Sequence, residues 1–273
     1  MWPSAFFSLN LILFEPFETS QPLLLSDGRA VHILNVLRRK IGDTCDVGLI
    51  DGPRGKAELL AVNETSLDLA FTWELAPPAL DPIHLIVGLP RPQTARKILQ
   101  EAATLGVAAI DFVRTERSDA SYAQSTLWST GEWRRHLIAG AEQAFSTQLP
   151  SVRWDQTLAA AIAADFSSAT TWASSPPHAS ERNHVSVSRV ALDNYEATTS
   201  LLTYSLSGDK SPARKTPASV ILAIGGERGW TQPERDGLRA QRFTLAHLGS
   251  RVLRTETAVV ASLAIIKAAH GWI

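Results

Sequence analysis

The chain has 273 residues, 45% of them hydrophobic and 19% charged, with a formal net charge of -1. That length supports one large or two modest domains with a proper core, and the near-neutral balance excludes a globally basic nucleic-acid binder. A single cysteine, Cys45, excludes an internal disulfide framework and a cysteine-based metal site. The seven histidines show no metal spacing, so no residue is assigned as a metal ligand. The longest apolar run, Ala258 to Ile266, stops at Lys267, far short of the roughly 20 residues of a membrane span. The apolar N-terminus carries no Lys or Arg and no clear cleavage site, so a cytoplasmic protein without a membrane partner is expected.

Residues 1–78 read as a small β-barrel with one helix. Short apolar segments lie at Leu9 to Phe14, Leu23 to Leu25 and Cys45 to Ile50. Asp51-Gly52, followed by Pro53-Arg54-Gly55, is a turn signal before a further strand, Lys56 to Val62. Ser66 to Trp73 alternates apolar and polar side chains, while Gly28 to Lys40 has helical spacing. Leu75 to Pro82, with Pro77, Pro78 and Pro82, reads as a stiff linker.

Residues 79–273 change to strand–helix alternation, the pattern of an α/β domain with a mainly parallel sheet. Strands are expected at His84 to Leu89, Val107 to Val113, Ser219 to Ile224 and Phe243 to Leu248. Helices are expected at Gln93 to Leu105, Thr130 to Phe145, Leu158 to Ala164, from Thr231 to Ala240 or Gln241, and Ala258 to Ala269. Thr231-Gln-Pro-Glu234 fits a capping box with proline in the first turn. Residues 174–218, rich in Ser, Thr, Pro and Ala, read as a mobile insertion with one or two short elements, Arg189 to Leu192 among them.

Two segments carry chemistry. Gly225-Gly-Glu-Arg-Gly229 lies between a strand and a capped helix, where backbone N–H groups can face a ligand; a plain tight turn explains it equally well. Leu248-Gly-Ser-Arg-Val-Leu-Arg-Thr-Glu-Thr-Ala258 crowds two arginines, a glutamate and two threonines before an apolar helix. Charge there is costly unless it meets a ligand or is paired internally, so either a binding loop or an Arg–Glu pair with a threonine N-cap fits. Arg38-Arg39-Lys40 and the cluster Arg91, Arg96 and Lys97 are basic enough to grip phosphates, or else complement helix ends.

The motif Leu248-Gly-x-Arg-Val-Leu-Arg-Thr-Glu-Thr-Ala258, preceded by the Gly-rich loop, resembles the signature of the 16S ribosomal RNA (uracil-N3)-methyltransferases, the RsmE family of the SPOUT superfamily. Further matches run in order along nearly the whole chain: Leu11-Ile-Leu-Phe-Glu-Pro16, His32-Ile-x-x-Val-Leu-Arg38, Gly88-Leu-Pro-Arg-Pro92, Leu105-Gly-Val107, Glu116-Arg117-Ser118 and Glu142-Gln143. The resemblance implies an α/β fold: a PUA-like β-barrel over 1–78 and a SPOUT methyltransferase domain with a deep trefoil knot over 79–273. It implies a homodimer acting on 16S ribosomal RNA of the small subunit, with S-adenosyl-L-methionine as cofactor.

Residue by residue, the resemblance implies cofactor contacts from Ile224, Gly225, Gly226, Glu227 and Gly229, and from Leu248, Gly249, Ser250, Val252, Leu253, Thr255 and Thr257. A third contact is expected at Ala173. RNA contacts fall on His32, Arg38, Arg39, Arg91, Arg117 and Arg251. Arg254 would stabilise the uracil anion and Glu256 would accept the N3 proton. The family reads Gly-Pro-Glu-Gly-Gly where this chain has Gly225-Gly226-Glu227-Arg228-Gly229, so Arg228 is compatible with cofactor only if it faces outward. The alternative is a catalytically silent RNA-binding relative with the same fold.

Overall fold

Inward and outward side chains alternate through the N-terminal part of the computed structural model, which describes residues 11–77, 79–163, 187–207 and 219–272. The strands here are β1 (Ile12–Phe14), β2 (Leu23–Leu24), β3 (Thr44–Leu49), β4 (Arg54–Val62) and β5 (Ser66–Leu75). In β4, Gly55, Ala57 and Leu59 are buried while Lys56, Glu58 and Leu60 are exposed, the period-two pattern of a half-buried strand. The five form one sheet in the order β1-β3-β4-β5-β2, antiparallel except for β1 beside β3. Phe14, Ile33, Val47, Leu59 and Leu67 fill its core.

The helix expected over 28–40 is shorter and changes form. Helix α1 (Gly28–Val31) is capped by the Asp27 carboxylate and passes into a π-helical turn, His32–Val36. Arg38 then takes a φ of 53°, in the left-handed region, which ends the helix before the basic cluster. Residues Ile138–Leu149 belong to this same unit. Glu142 Oε1 accepts the Leu13 N–H at 3.0 Å, and the Thr147 hydroxyl donates to the Gly52 carbonyl at 2.6 Å.

The second unit, residues 79–137 with 150–272, is a parallel sheet. Its elements in chain order are β6 (Asp81–Gly88), α2 (Pro92–Thr104), β7 (Val107–Arg114), α3 (Thr126–Ser129), α4 (Glu132–Gln143, whose later half lies in the first unit), β8 (Ser151–Thr157) and α5 (Leu158–Ala163). After these come β9 (Val187–Leu192), β10 (Thr199–Ser200), α6 (Leu201–Ser207), β11 (Ser219–Ile224), α7 (Gln232–Ala240), β12 (Thr244–His247) and α8 (Thr255–His270). Strand order is β10-β12-β9-β11-β6-β7-β8, and every neighbouring pair is parallel. Strand β11 is buried at all six positions, as expected for a strand covered on both faces.

Three differences from the sequence reading have physical causes. The short strand expected at Arg189 to Leu192 forms as β9, but as an interior strand of the sheet, paired with β11 and β12, with Val190 and Ala191 fully buried. Of the expected insertion, residues 174–186 and 208–218 lie outside the described residues. Strand β8 has no counterpart in the reading because it is an edge strand of half-exposed and exposed residues, without an apolar run. The prolines expected to make a linker to residue 82 give way early, because β6 already begins at Asp81.

Candidate functional site

Parallel strands place all their carboxyl ends on one side, and in open α/β sheets that side is where crevices form. The loops after β6, β9, β11 and β12 enclose a cleft of about 750 Å³, within the usual range of a small-molecule site.

The β11 loop is its floor. Gly229, at φ +64°, closes a turn in which its N–H donates to the Gly226 carbonyl at 2.9 Å. A side chain on Gly225 would place its Cβ 2.9 Å from Gly229 Cα. The strand end is equally tight: a Cβ on Gly88 would lie 2.5 Å from the Gly226 nitrogen. The end of β6 and the β11 loop are therefore packed too closely to admit a side chain at Gly88 or Gly225. Glu227 accepts the Arg91 N–H at 3.0 Å, joining this loop to the start of α2. The capping box of α7 forms as read, with Glu234 accepting the Thr231 N–H at 2.8 Å. The other oxygen of Glu234 accepts the Glu116 N–H at 2.9 Å.

The second wall is the β12 loop. Gly249, at φ +106°, donates its N–H to His247 Nδ1 at 3.1 Å and turns the chain toward α8. Leu248, Arg251, Val252, Leu253, Arg254, Thr255 and Glu256 line the cleft. Arg254 is the N-cap residue of α8, which begins three residues earlier than its apolar run, and no side-chain cap bond forms there. Neither threonine is the cap. Glu256 sits in the first turn, 3.3 Å from Lys97 Nζ of α2. Its own backbone N–H, with Lys97 and Arg254, holds the carboxyl below the usual carboxylate range, against the opposing push of burial.

The third wall follows β9 and consists of Leu192, Asp193, Asn194 and Tyr195. Asp193 Oδ1 accepts the N–H groups of Tyr195 at 2.9 Å and Glu196 at 2.6 Å, and Oδ2 pairs with Arg235 Nε at 2.9 Å. Trp230, 1% exposed, donates its indole N–H to the Leu192 carbonyl at 3.1 Å. The residues of this wall escaped the sequence reading, and Lys97, read there as part of a basic cluster, pairs instead with Glu256. The available signal was an apolar strand, Val190 to Leu192, ending in an Asp-Asn turn.

Of the residues expected to hold cofactor, Ile224, Gly225, Gly226, Glu227, Gly229, Leu248, Val252, Leu253, Thr255 line the cleft. Gly249, Ser250 and Thr257 do not: Gly249 shapes the loop, while Ser250 and Thr257 are exposed outside the lining. Ala173 lies outside the described residues. Among the basic residues, Arg91 and Arg251 line the cleft, and Arg117 donates to the Arg228 carbonyl at 2.8 Å. Arg228 itself is exposed and also lines the cleft, so it does not face away from the site as cofactor binding would ask. His32, Arg38 and Arg39 are in the first unit, Arg38 exposed and the other two half-buried. Among the described residues no group of His, Cys, Asp and Glu is arranged to hold a metal ion, and no helix is long and apolar enough to cross a membrane.

Residues 77–267 match the family model of an RNA methyltransferase domain. The chain is 34% identical over 270 residues to ribosomal RNA small subunit methyltransferase E of Treponema pallidum (strain Nichols), covering 97% of this chain and 93% of that protein. The Bacillus subtilis (strain 168) protein of the same name is 24% identical over 240 residues, with 86% and 85% covered. Among solved structures, a probable rRNA-methyltransferase from Porphyromonas gingivalis aligns with a TM-score of 0.68 at 20% identity, covering 96% of this chain and 99% of that one. The ribosomal RNA small subunit methyltransferase E of Neisseria gonorrhoeae, bound to S-adenosyl methionine, aligns at 0.64 with 23% identity and 95% and 97% coverage. At those identities the structural likeness speaks for the fold.

Proposed function

The chain belongs to the ribosomal RNA small subunit methyltransferase E family, and from that premise we propose that it methylates N3 of a uridine in 16S ribosomal RNA with S-adenosyl-L-methionine as donor. The observation that carries this reading is that Leu248 with residues 251–256 and the glycine loop 225–229, from separate segments, line one cleft. The relatives' names supply the substrate class, and Gly225, Gly226 and Gly229 on the cleft wall supply a surface without side chains that a sulfonium cofactor can approach closely.

Bound in this cleft, the cofactor would supply an electrophilic methyl group. Gly225, Gly226 and Gly229 would hold it on one side, and Leu248, Val252, Leu253 and Thr255 on the other. The chain's own work is alignment and proton handling. In-line displacement depends on the attacking nitrogen being held on the axis of the leaving bond. Uracil N3 carries a proton and becomes nucleophilic as it leaves. Glu256, ionised at neutral pH, accepts that proton, and Arg254 at the head of α8 stabilises the negative charge growing on the uracil oxygens. Arg91, Arg117 and Arg251 of the second unit hold phosphates, and His32, Arg38 and Arg39 of the first unit also contact RNA.

The same reading takes the five-stranded unit as PUA-like, supported by its short mixed sheet, and the C-terminal region as a trefoil knot. Supporting the knot is the order β12-β9-β11, in which the last strand lies beyond one laid down earlier. A cytoplasmic homodimer completes the picture.

Calorimetric titration with S-adenosyl-L-methionine should show close to one equivalent bound per subunit, and tritium should transfer from labelled cofactor onto small-subunit RNA. Arg254→Ala should keep cofactor affinity and lose at least about a hundredfold in kcat, the scale of losing one charge-stabilising donor. An unchanged kcat removes Arg254 from the chemistry. Full activity in Glu256→Gln removes Glu256 as proton acceptor.

A further inference from the structure

Tyr195 lines the cleft yet is 74% exposed. An aromatic ring left in water contributes little to folding, and here it is also held in place. Asp193 accepts the Tyr195 N–H at 2.9 Å, fixing the backbone, and Asp193 is itself buried against Arg235. The Arg235 guanidinium carbon lies 5.2 Å from the centroid of the Tyr195 ring, so a cation covers one side of it. The ring edge reaches over the glycine loop: a Cβ on Gly229 would stand 3.8 Å from Tyr195 Cε2. A rigid ring with most of its surface open is a prepared stacking surface.

The charges around it indicate what it stacks on. Arg228, Arg251 and Arg254 line the same cleft, and none is in an ion pair among the described residues. Asp193 is neutralised by Arg235, and Glu256 faces Lys97. An open aromatic face beside unpaired guanidinium groups suits a single-stranded nucleic acid, in which bases stack and phosphates pair with cations.

We infer that Tyr195, set in place by Asp193 and Arg235, is the platform on which a nucleobase of the RNA substrate stacks at the mouth of the cleft. This rests on the methyltransferase reading and adds a recognition residue to it. A nucleobase could reach the ring from the RNA or from the adenine of S-adenosyl-L-methionine. The exposure of the ring at the rim favours the RNA.

The test compares Tyr195→Ala, Tyr195→Phe and Tyr195→Trp in the full-length protein. Affinity for small-subunit RNA is measured by direct binding, affinity for S-adenosyl-L-methionine by calorimetry, and methyl transfer separately. Tyr195→Ala should weaken RNA binding and raise KM for RNA by roughly 5- to 150-fold, the usual range for one lost base–aromatic stack. Phe and Trp should restore both, and cofactor affinity and Tm should stay at wild-type values in all three. Weakened cofactor binding with unchanged RNA binding overturns the inference and assigns the ring to the adenine. A fall in Tm with RNA binding unchanged also overturns it, since the ring would then only shield the Asp193–Arg235 pair. Because RNA binding is measured apart from catalysis, wild-type protein that binds RNA through Tyr195 but transfers no methyl would defeat the methyltransferase reading and leave the platform standing.

Discussion

Glu256 and Lys97 meet across the cleft from positions 159 residues apart, and their pairing sets how the proposed proton acceptor titrates. A base must be ionised to act, so the acid limb of the pH–rate profile should follow the Glu256 carboxyl. Its own backbone N–H holds that carboxyl low, and Lys97 adds to the effect. Lys97→Met removes the lysine's share, so the acid limb of kcat should move to higher pH. A limb that stays in place detaches either Lys97 or Glu256 from the reaction. The sign for stability runs alongside: a carboxyl with a depressed folded-state pKa stabilises above its unfolded value and loses that contribution as pH falls through the folded one. Lys97 is 60% exposed, so solvent screening keeps that stability effect small. At this scale the sequence was a partial guide. Arg254 and Glu256 stand in one short motif and are readable as a pair. Lys97 and Tyr195 gain their significance from contacts to other strands and helices, which no local pattern encodes.

Elements whose signals are local were legible, and those defined by distant partners were not. The end of β11, the glycine turn after it and the capping box of α7 are written in adjacent residues, and each forms as read. Strand β9 is legible as the short segment Arg189 to Leu192, but its interior place is not, because its burial comes from β11 and β12, which follow it in the chain. The π-helical turn at His32–Val36 keeps helical spacing in its sequence but makes its bond from the Leu37 N–H to the His32 carbonyl, one residue further than an α-helix. The junction of β6 with the β11 loop yields a sharper test. A methyl group at position 88 would meet the Gly226 nitrogen at 2.5 Å and Thr115 Cγ2 at 2.9 Å. The loop backbone must move to admit it. Gly88→Ala should therefore cost about 1–3 kcal/mol in urea unfolding, as overpacking does, and weaken S-adenosyl-L-methionine binding at least about tenfold. Wild-type cofactor affinity in a folded Gly88→Ala protein would show that the loop is softer than its packing implies. Where the same loop enters α7, Thr231→Ala removes a cap bond and should cost about 0.5–2 kcal/mol.

For the whole molecule, helix α8 poses the remaining physical problem. One face is buried in the second unit through Ala258, Val259, Leu263 and Ile266, and Lys267 pins its far end to Asp81 at 2.7 Å and to the Leu105 carbonyl at 2.6 Å. The opposite side is also apolar: Val260, Ala264 and Ala268, spaced four apart, are exposed. Helix α6, packed against α8, exposes Leu202 and Leu206 one turn apart. A helix apolar all round is ordinarily buried all round, and small residues at four-residue spacing allow another helix to approach closely. A second copy of the chain satisfies that need by symmetry, since a two-fold interface uses one patch on both subunits. Light scattering should therefore give the wild-type protein a mass of twice 29.7 kDa. Ala264→Arg places a charge in the middle of the stripe, where burying it unpaired is costly, and should yield a monomer with unchanged far-ultraviolet circular dichroism. A monomeric wild-type protein, or a dimer that tolerates Ala264→Arg, would mean that the outward face of α8 is not the interface.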